Sequence, residues 1–171
     1  MGVNDPHAAS AGWDDSGVET LDDLNEYIGF LFRRSQQAHV SVWSTEVSAE
    51  TTSVQFGVLN ALAREPGSSQ RALGDVLDLD RTTIGEVAGR LEQRGLIVRK
   101  RDDGDRRRNV LDLTDAGRAE LELLLPRSRR VDQVLTSSLS AHDREHLRSL
   151  LIRALGSAPA PDRDPGAGRQ E

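Results

Sequence analysis

Three adjacent arginines, Arg106, Arg107 and Arg108, are the first candidates for binding chemistry in this sequence. They close the charged, glycine-containing segment 102–108, whose composition is typical of a turn. Neighbouring guanidinium groups repel one another unless an anion faces them. A narrow DNA minor groove, with its enhanced negative potential, is such an anion. The alternative is an ordinary solvated turn.

A second candidate surface is the polar face of the helix predicted after Asp80. An arginine at a helix start can contact phosphate or bases, and threonine offers a hydroxyl and a methyl group to base edges. A glutamate there can accept from a cytosine amino group or hold an arginine in place. The alternative is a solvated helix face. The candidate DNA contacts on this helix are Arg81, Thr82, Thr83, Glu86 and Arg90.

A third group could bind a small molecule. Arg33, Gln36, His39 and Trp43 lie on or beside one face of a long predicted helix. Arginine can bind a carboxylate through two hydrogen bonds, histidine can donate to an oxygen, and an indole can stack on a planar ring. The group therefore suits an aromatic carboxylate. The alternative is that these side chains form the core of an interface.

The sequence lacks the residue combinations that known types of enzymatic catalysis require. The chain contains no cysteine, which excludes thiolate metal sites and cysteine nucleophiles. His142 and His146 have the spacing of a zinc pair, but no third ligand is evident, and a solvated helix start explains them better. No phosphate-binding glycine loop or nucleophile elbow occurs. We therefore expect no catalytic residue, no metal and no cofactor.

The charge is distributed unevenly along the 171 residues. The net charge is −6, yet residues 81–108 contain nine basic and five acidic residues, a local excess of +4. Residues 1–26 contain seven acids and no lysine or arginine. No apolar stretch is long enough to span a membrane, and no secretion signal is recognisable. We expect a cytoplasmic protein that binds nucleic acid through its central segment.

Apolar spacing and capping residues predict the elements that position these groups. Each predicted helix starts at a side chain that can cap its first turn. Short strands are predicted at 96–100 and 110–113, and a kink or break is expected at Pro126. Two tightly joined helices followed by this hairpin form a winged helix-turn-helix. The predicted helix starts are Thr20, Thr51 or Thr52, Ser68 or Ser69, Asp80, Thr114 and Ser140.

These residues resemble the MarR family of bacterial winged-helix regulators. The resemblance covers about residues 20–155 and is densest over 52–118. Its most specific pieces are the segments 90–97 (RLEQRGLI), 105–107 (DRR) and 113–117 (LTDAG). It implies that Arg107 inserts into the minor groove and that Asp105 orients the wing tip. It also adds Gln70 and Arg71, from the matching stretch, to the candidate DNA contacts.

The resemblance implies a mainly α fold, with a winged helix-turn-helix DNA-binding domain and flanking helices that form a dimerisation domain. The expected organisation is a disordered acidic tail (1–18), a dimerisation helix (19–50), the DNA-binding domain (51–114), C-terminal dimerisation helices (115–155) and a second disordered tail (156–171). The expected protein is a homodimeric regulator, a repressor, that a small aromatic acid releases from a pseudo-palindromic operator in double-stranded DNA. The alternative is an interaction module, or a non-specific DNA-binding protein, without such a ligand.

Overall fold

The structure, a computed structural model, describes residues 12–13, 19–20, 23–101 and 109–156. The chain divides into two compact units, Met1–Ala38 and His39–Glu171, and each is described by itself. The predicted wing tip, Asp105 to Arg108, lies outside the described residues.

The first unit contains a short antiparallel pair, β1 (Gly12–Trp13) and β2 (Glu19–Thr20). A 3-10 turn at Leu24–Glu26 precedes helix α1 (Ile28–Glu46), which continues into the second unit. The predicted start of this helix at Thr20 is therefore wrong. Asp23 instead caps the 3-10 turn by accepting the Asn25 N–H at 2.8 Å, and the extended backbone of Tyr27 separates that turn from α1.

The second unit contains the remaining helices and the second strand pair. All five of these helices begin at side chains that accept a backbone N–H of the first turn: Thr52, Ser69, Asp80, Thr114 and Ser140. The predominantly helical class is confirmed for the described residues. The elements are α2 (Ser53–Arg64), α3 (Gln70–Leu77), α4 (Arg81–Gln93), β3 (Ile97–Arg101), β4 (Asn109–Leu113), α5 (Asp115–Leu135) and α6 (Ala141–Gly156).

Helices α3 and α4 form the predicted helix-turn-helix. Only three residues join them, and the first, Asp78, adopts the left-handed conformation (φ 54°). The Leu79 N–H bonds back to the Gly74 carbonyl at 2.9 Å, and a Cβ on Gly74 would approach the Leu79 carbonyl oxygen to 2.9 Å. The turn is tight because the residue at position 74 has no side chain.

Strands β3 and β4 form the predicted hairpin. They pair antiparallel from Ile97 opposite Leu113 to Arg101 opposite Asn109. An isolated bridge between Ser68 and Leu111 attaches β4 to the turn between α2 and α3. The hairpin is thus hydrogen-bonded to the helix-turn-helix as well as within itself.

Two apolar clusters hold the second unit together, and burial of their side chains is the main driving force for folding. One joins α2, α3, α4 and the hairpin, and the other joins the end of α1 to α5. The buried members of the first are Val58, Leu59, Leu62, Leu73, Ile84, Ala88, Leu91, Leu96, Ile97, Leu111, Leu113 and Leu121; those of the second are Trp43, Val47, Leu124 and Val131.

The sequence predicts a kink or break at Pro126. Helix α5 continues through this residue, so the break is wrong, while a kink stays a prediction. A proline inside a helix costs about 3 kcal/mol because it removes a hydrogen bond and crowds the preceding turn. Leu124 and Val131, on either side of it, are both buried in the second cluster. Their burial holds the two halves of α5 in one helix.

Candidate nucleic-acid interface

The start of α4 is fixed by Asp80. One oxygen of its carboxylate accepts the backbone N–H groups of Thr82 and Thr83, each at 2.9 Å, and the other accepts the Thr83 hydroxyl. The Thr83 hydroxyl bond and then the backbone bonds lower the pKa of Asp80 below its ordinary value. Arg81 and Thr82 are exposed at this end of the helix, whereas Thr83 is half-buried. Thr82 is therefore better placed than Thr83 to contact a base.

The predicted outer face of α4 is exposed, because Ile84, Ala88 and Leu91 bury the opposite face. Glu86 and Arg90 lie on the exposed face and form an ion pair at 3.5 Å. The structure thus brings these two side chains together, as in the prediction that Glu86 holds an arginine. Exposed pairs of this kind contribute at most about 1 kcal/mol, so a phosphate can replace the carboxylate as the partner of Arg90.

Helix α3 carries the candidates that came from the resemblance. Arg71 is exposed and Gln70 is half-buried, both in the first turn after the Ser69 cap. Backbone N–H groups at a helix start favour an anion, so this end of α3 is compatible with a phosphate contact.

The base of the hairpin is held by Asp112. Its carboxylate accepts the Gly67 N–H at 2.7 Å and pairs with Lys100 at 3.1 Å. Asp112 therefore joins both hairpin strands to the turn before α3. The residues between these two strands, among them Arg106, Arg107 and Arg108, lie outside the part of the chain that the structure describes.

The predicted effector residues fall in both units. In the first, Arg33 donates to Gln37 at 2.9 Å and lies 4.9 Å from the centre of the Phe30 ring, and Gln36 is exposed. In the second, His39 is half-buried and its ring centre lies 6.1 Å from that of Trp43.

Trp43 is more constrained than the sequence indicated. It is buried beside Phe56, with ring centres 5.2 Å apart, and its indole N–H donates to the Thr51 carbonyl at 2.7 Å. The indole N–H is thus already used inside the protein. Trp43 therefore belongs to the core of the single chain, whereas the alternative placed it in the core of an interface; a ring contact to a ligand stays a prediction.

Sequence reasoning missed a polar cluster behind α4. Arg94, at the end of α4, reaches the buried Thr51 and the carboxylate of Glu120 on α5. From the sequence, Thr51 is predicted only as one of two possible caps of α2, a role that the structure gives to Thr52. Two consecutive threonines where one cap is needed were the available signal.

The His142 and His146 rings lie 6.4 Å apart on α6. Among the described residues, no group of three or more histidine, cysteine, aspartate or glutamate side chains could hold a metal ion. Nor does any helix in the described ranges combine the length and apolar content needed to cross a membrane.

Known proteins share both the sequence pattern and this fold. Residues 50–108 match the model described as "MarR family". The PcaV transcriptional regulator of Streptomyces coelicolor, solved in complex with its natural ligand, is 44% identical, with 82% of this chain and 99% of that chain covered and a TM-score of 0.78.

Two further solved structures are similar along most of the chain. The transcriptional repressor CouR, solved on a 23-mer DNA duplex, is 32% identical over 80% of this chain and 97% of its own, with a TM-score of 0.71. BpsR of Bordetella bronchiseptica, whose DNA binding is regulated by 6-hydroxynicotinic acid, is 29% identical over 75% of this chain and 98% of its own, with a TM-score of 0.68.

These similarities confirm the winged helix fold and the regulator class, which is that of transcription regulators and not of enzymes. The chain therefore belongs to the MarR family of transcriptional regulators.

Proposed function

We propose that this regulator is a homodimeric repressor that binds a pseudo-palindromic operator and is released from it by a small aromatic acid. The observation that carries the DNA-binding part is the orientation of α4. Its apolar face is held in the core by Ile84, Ala88 and Leu91, so that its polar face points outward beside the hairpin.

The proposed contacts divide by chemistry. Arg81 and Thr82, at the exposed start of α4, read base edges, whereas Arg90 and Arg71 bind phosphates. Arg107 enters the minor groove from the tip of the hairpin. Glu86 sets the position of Arg90 in the free protein, through the ion pair described above.

The dimer is proposed from the exposed leucines of α6. Leu147, Leu150, Leu151 and Leu155 are all solvent-exposed in the single chain. A second copy would cover this apolar stripe and place two recognition helices about 34–36 Å apart, one turn of DNA.

Selection from a pool of random DNA duplexes tests the DNA-binding proposal. We expect enrichment of an inverted repeat, bound about 10³–10⁷-fold more tightly than a shuffled duplex. Arg81→Ala and Thr82→Ala should alter preference among operator variants, and Arg90→Ala should weaken all duplexes alike. Binding without any enriched sequence would favour the alternative of a non-specific DNA-binding module.

The effector part rests on Arg33, Gln36 and His39 together with the similarity to BpsR, which responds to 6-hydroxynicotinic acid. An aromatic carboxylate would pair with Arg33 and accept from His39. Calorimetry with 6-hydroxynicotinate, 4-hydroxybenzoate and cinnamate tests this. Arg33→Ala and His39→Ala should lose the response to the acid and keep operator binding.

Arg34 provides the matched control, since it is an exposed neighbour that donates to Asn25 at 3.0 Å. Arg34→Ala should retain the response. Absence of binding at millimolar concentration of all three acids, or full response in both Arg33→Ala and His39→Ala, would refute the proposed effector site.

A further inference from the structure

A continuous set of hydrogen bonds joins the core tryptophan of α1 to the end of the helix proposed to read DNA. The Trp43 indole N–H donates to the Thr51 carbonyl at 2.7 Å. The Thr51 hydroxyl donates to Glu120 Oε1 at 2.6 Å and accepts from Arg94 at 3.0 Å. We call these four residues the Thr51 junction.

Thr51 is the centre of this junction and has no access to solvent. A hydroxyl group can donate one hydrogen bond and accept two, and here the donor and one acceptor position are used by Glu120 and Arg94. Its carbonyl is used by Trp43. Because water cannot replace a lost partner at a buried group, moving one partner forces the others to move or leaves a polar atom unsatisfied.

Arg94 makes the junction relevant to DNA binding, because it is the C-cap residue that directly follows the last residue of α4. Besides Thr51, it donates to the Glu50 carbonyl at 3.4 Å and pairs with Glu120 at 3.5 Å. The end of α4 is thus tied both to the connection between α1 and α2 and to α5. A shift of Arg94 would therefore change the orientation of α4 relative to α2 and α5.

We propose that Arg94 and Thr51 are positioning residues that couple the surroundings of Trp43 to the orientation of α4. This inference rests on the proposed function, in which an aromatic acid accepts a hydrogen bond from His39, whose ring centre lies 6.1 Å from that of Trp43. A ligand that prefers one position of the indole would thereby favour one orientation of α4, and bound operator would act on Trp43 in return.

The coupling can be measured without any ligand by amide hydrogen exchange of the free protein. Trp43→Phe removes the indole N–H and keeps an aromatic ring. We expect the amides of Arg94 and Gly95 to exchange about fivefold faster, the effect of losing one net hydrogen bond. Unchanged exchange at these two amides would overturn the proposal.

Arg130→Gln is the matched control. Arg130 pairs with Glu46 at 2.7 Å and so joins α1 to α5, as the junction does, while making its bond away from α4. It should leave exchange at Arg94 and Gly95 unchanged. An equal acceleration in Arg130→Gln would mean that general loosening of α1 against α5 is responsible, and would also overturn the proposal.

A second measurement concerns the response to 4-hydroxybenzoate, 6-hydroxynicotinate or cinnamate. Thr51→Val removes the hydroxyl and preserves the shape of the side chain, whereas Thr51→Ser preserves the hydroxyl. Couplings between sites are commonly about 5–150-fold in affinity. We expect Thr51→Val to bind the acid, but the bound acid should then hardly lower the affinity for the operator. In Thr51→Ser, the acid should still lower the operator affinity.

The two measurements separate the inference from the proposed function. If the wild-type protein binds none of the acids, the proposed effector fails, and hydrogen exchange in Trp43→Phe still decides whether the junction couples Trp43 to α4. If an acid binds and releases DNA equally well in Thr51→Val, the effector stands and the junction is refuted. Arg94→Gln provides a second variant at the other end, should Thr51→Val fail to fold.

Discussion

Replacing Gly117 by alanine should strongly destabilise the folded protein. Gly117 lies in the first turn of α5, and a Cβ there would stand 1.9 Å from the Leu96 carbonyl oxygen. Because carbon and carbonyl oxygen approach to about 3.3 Å, one of them must move by about 1.4 Å. The backbone on both sides of this contact would have to shift.

The cost follows from what holds Leu96 in place. Its carbonyl oxygen accepts the backbone N–H of Thr114 at 3.1 Å, while the one hydroxyl proton of Thr114 is used mainly in the shorter bond to the Gly95 carbonyl, at 2.6 Å. Overpacking costs about 1–3 kcal/mol, and the hydrogen bond to Leu96 contributes about 1 kcal/mol. The expected loss is about 2–4 kcal/mol, a large part of the roughly 5–15 kcal/mol that stabilises a typical domain.

Urea denaturation followed by circular dichroism measures this loss, with all variants at the same protomer concentration. Gly85→Ala is the matched control, because nothing lies within 4 Å of a Cβ at that helical position. It should stabilise the protein by about 0.5–1 kcal/mol. A loss below about 1 kcal/mol in Gly117→Ala, with an unchanged denaturant slope, would show that α5 can slide past the hairpin and would refute the reasoning.

Three further outcomes are expected. Gly89 lies in α4 between Glu86 and Arg90, on the face proposed to meet DNA. Gly89→Ala should raise stability by about 0.5–1 kcal/mol in urea denaturation, because a Cβ there meets nothing within 4 Å. It should weaken operator binding in an anisotropy titration because the added methyl group would stand between helix and groove; unchanged affinity would take position 89 out of the DNA interface. Asp80 has a lowered pKa in the folded protein, so its contribution to stability is present above its unfolded pKa and is lost as the pH falls through the folded value. Asp80→Asn should therefore lose less stability than wild type between neutral and acidic pH, and parallel pH profiles would contradict this. Leu150→Glu should convert the dimer to a monomer in sedimentation. A dimer that persists in this variant would show that α6 is not the interface.

The helix-turn-helix could be predicted from the sequence because its determinants are local. A capping side chain at Asp80 and apolar residues three and four positions apart specify α4 before any tertiary contact forms. The hairpin followed from the change to alternating residues on both sides of a charged turn. By contrast, the continuity of α5 through Pro126 depends on the burial of Leu124 and Val131, which spacing alone does not reveal. The start of α1 follows a local break at the extended Tyr27, which the apolar spacing does not show.

The type and order of the elements of the DNA-binding domain, and the polar face of α4, can be predicted from the sequence, because helix caps and apolar periodicity act over a few residues. The residues that pack behind that face are set by tertiary contacts. Thr51 is hydrogen-bonded to Trp43, Arg94 and Glu120, and the last two lie 43 and 69 residues away along the chain. Such contacts are set by how the helices pack, since a buried hydroxyl takes whichever partner packing brings within hydrogen-bonding distance.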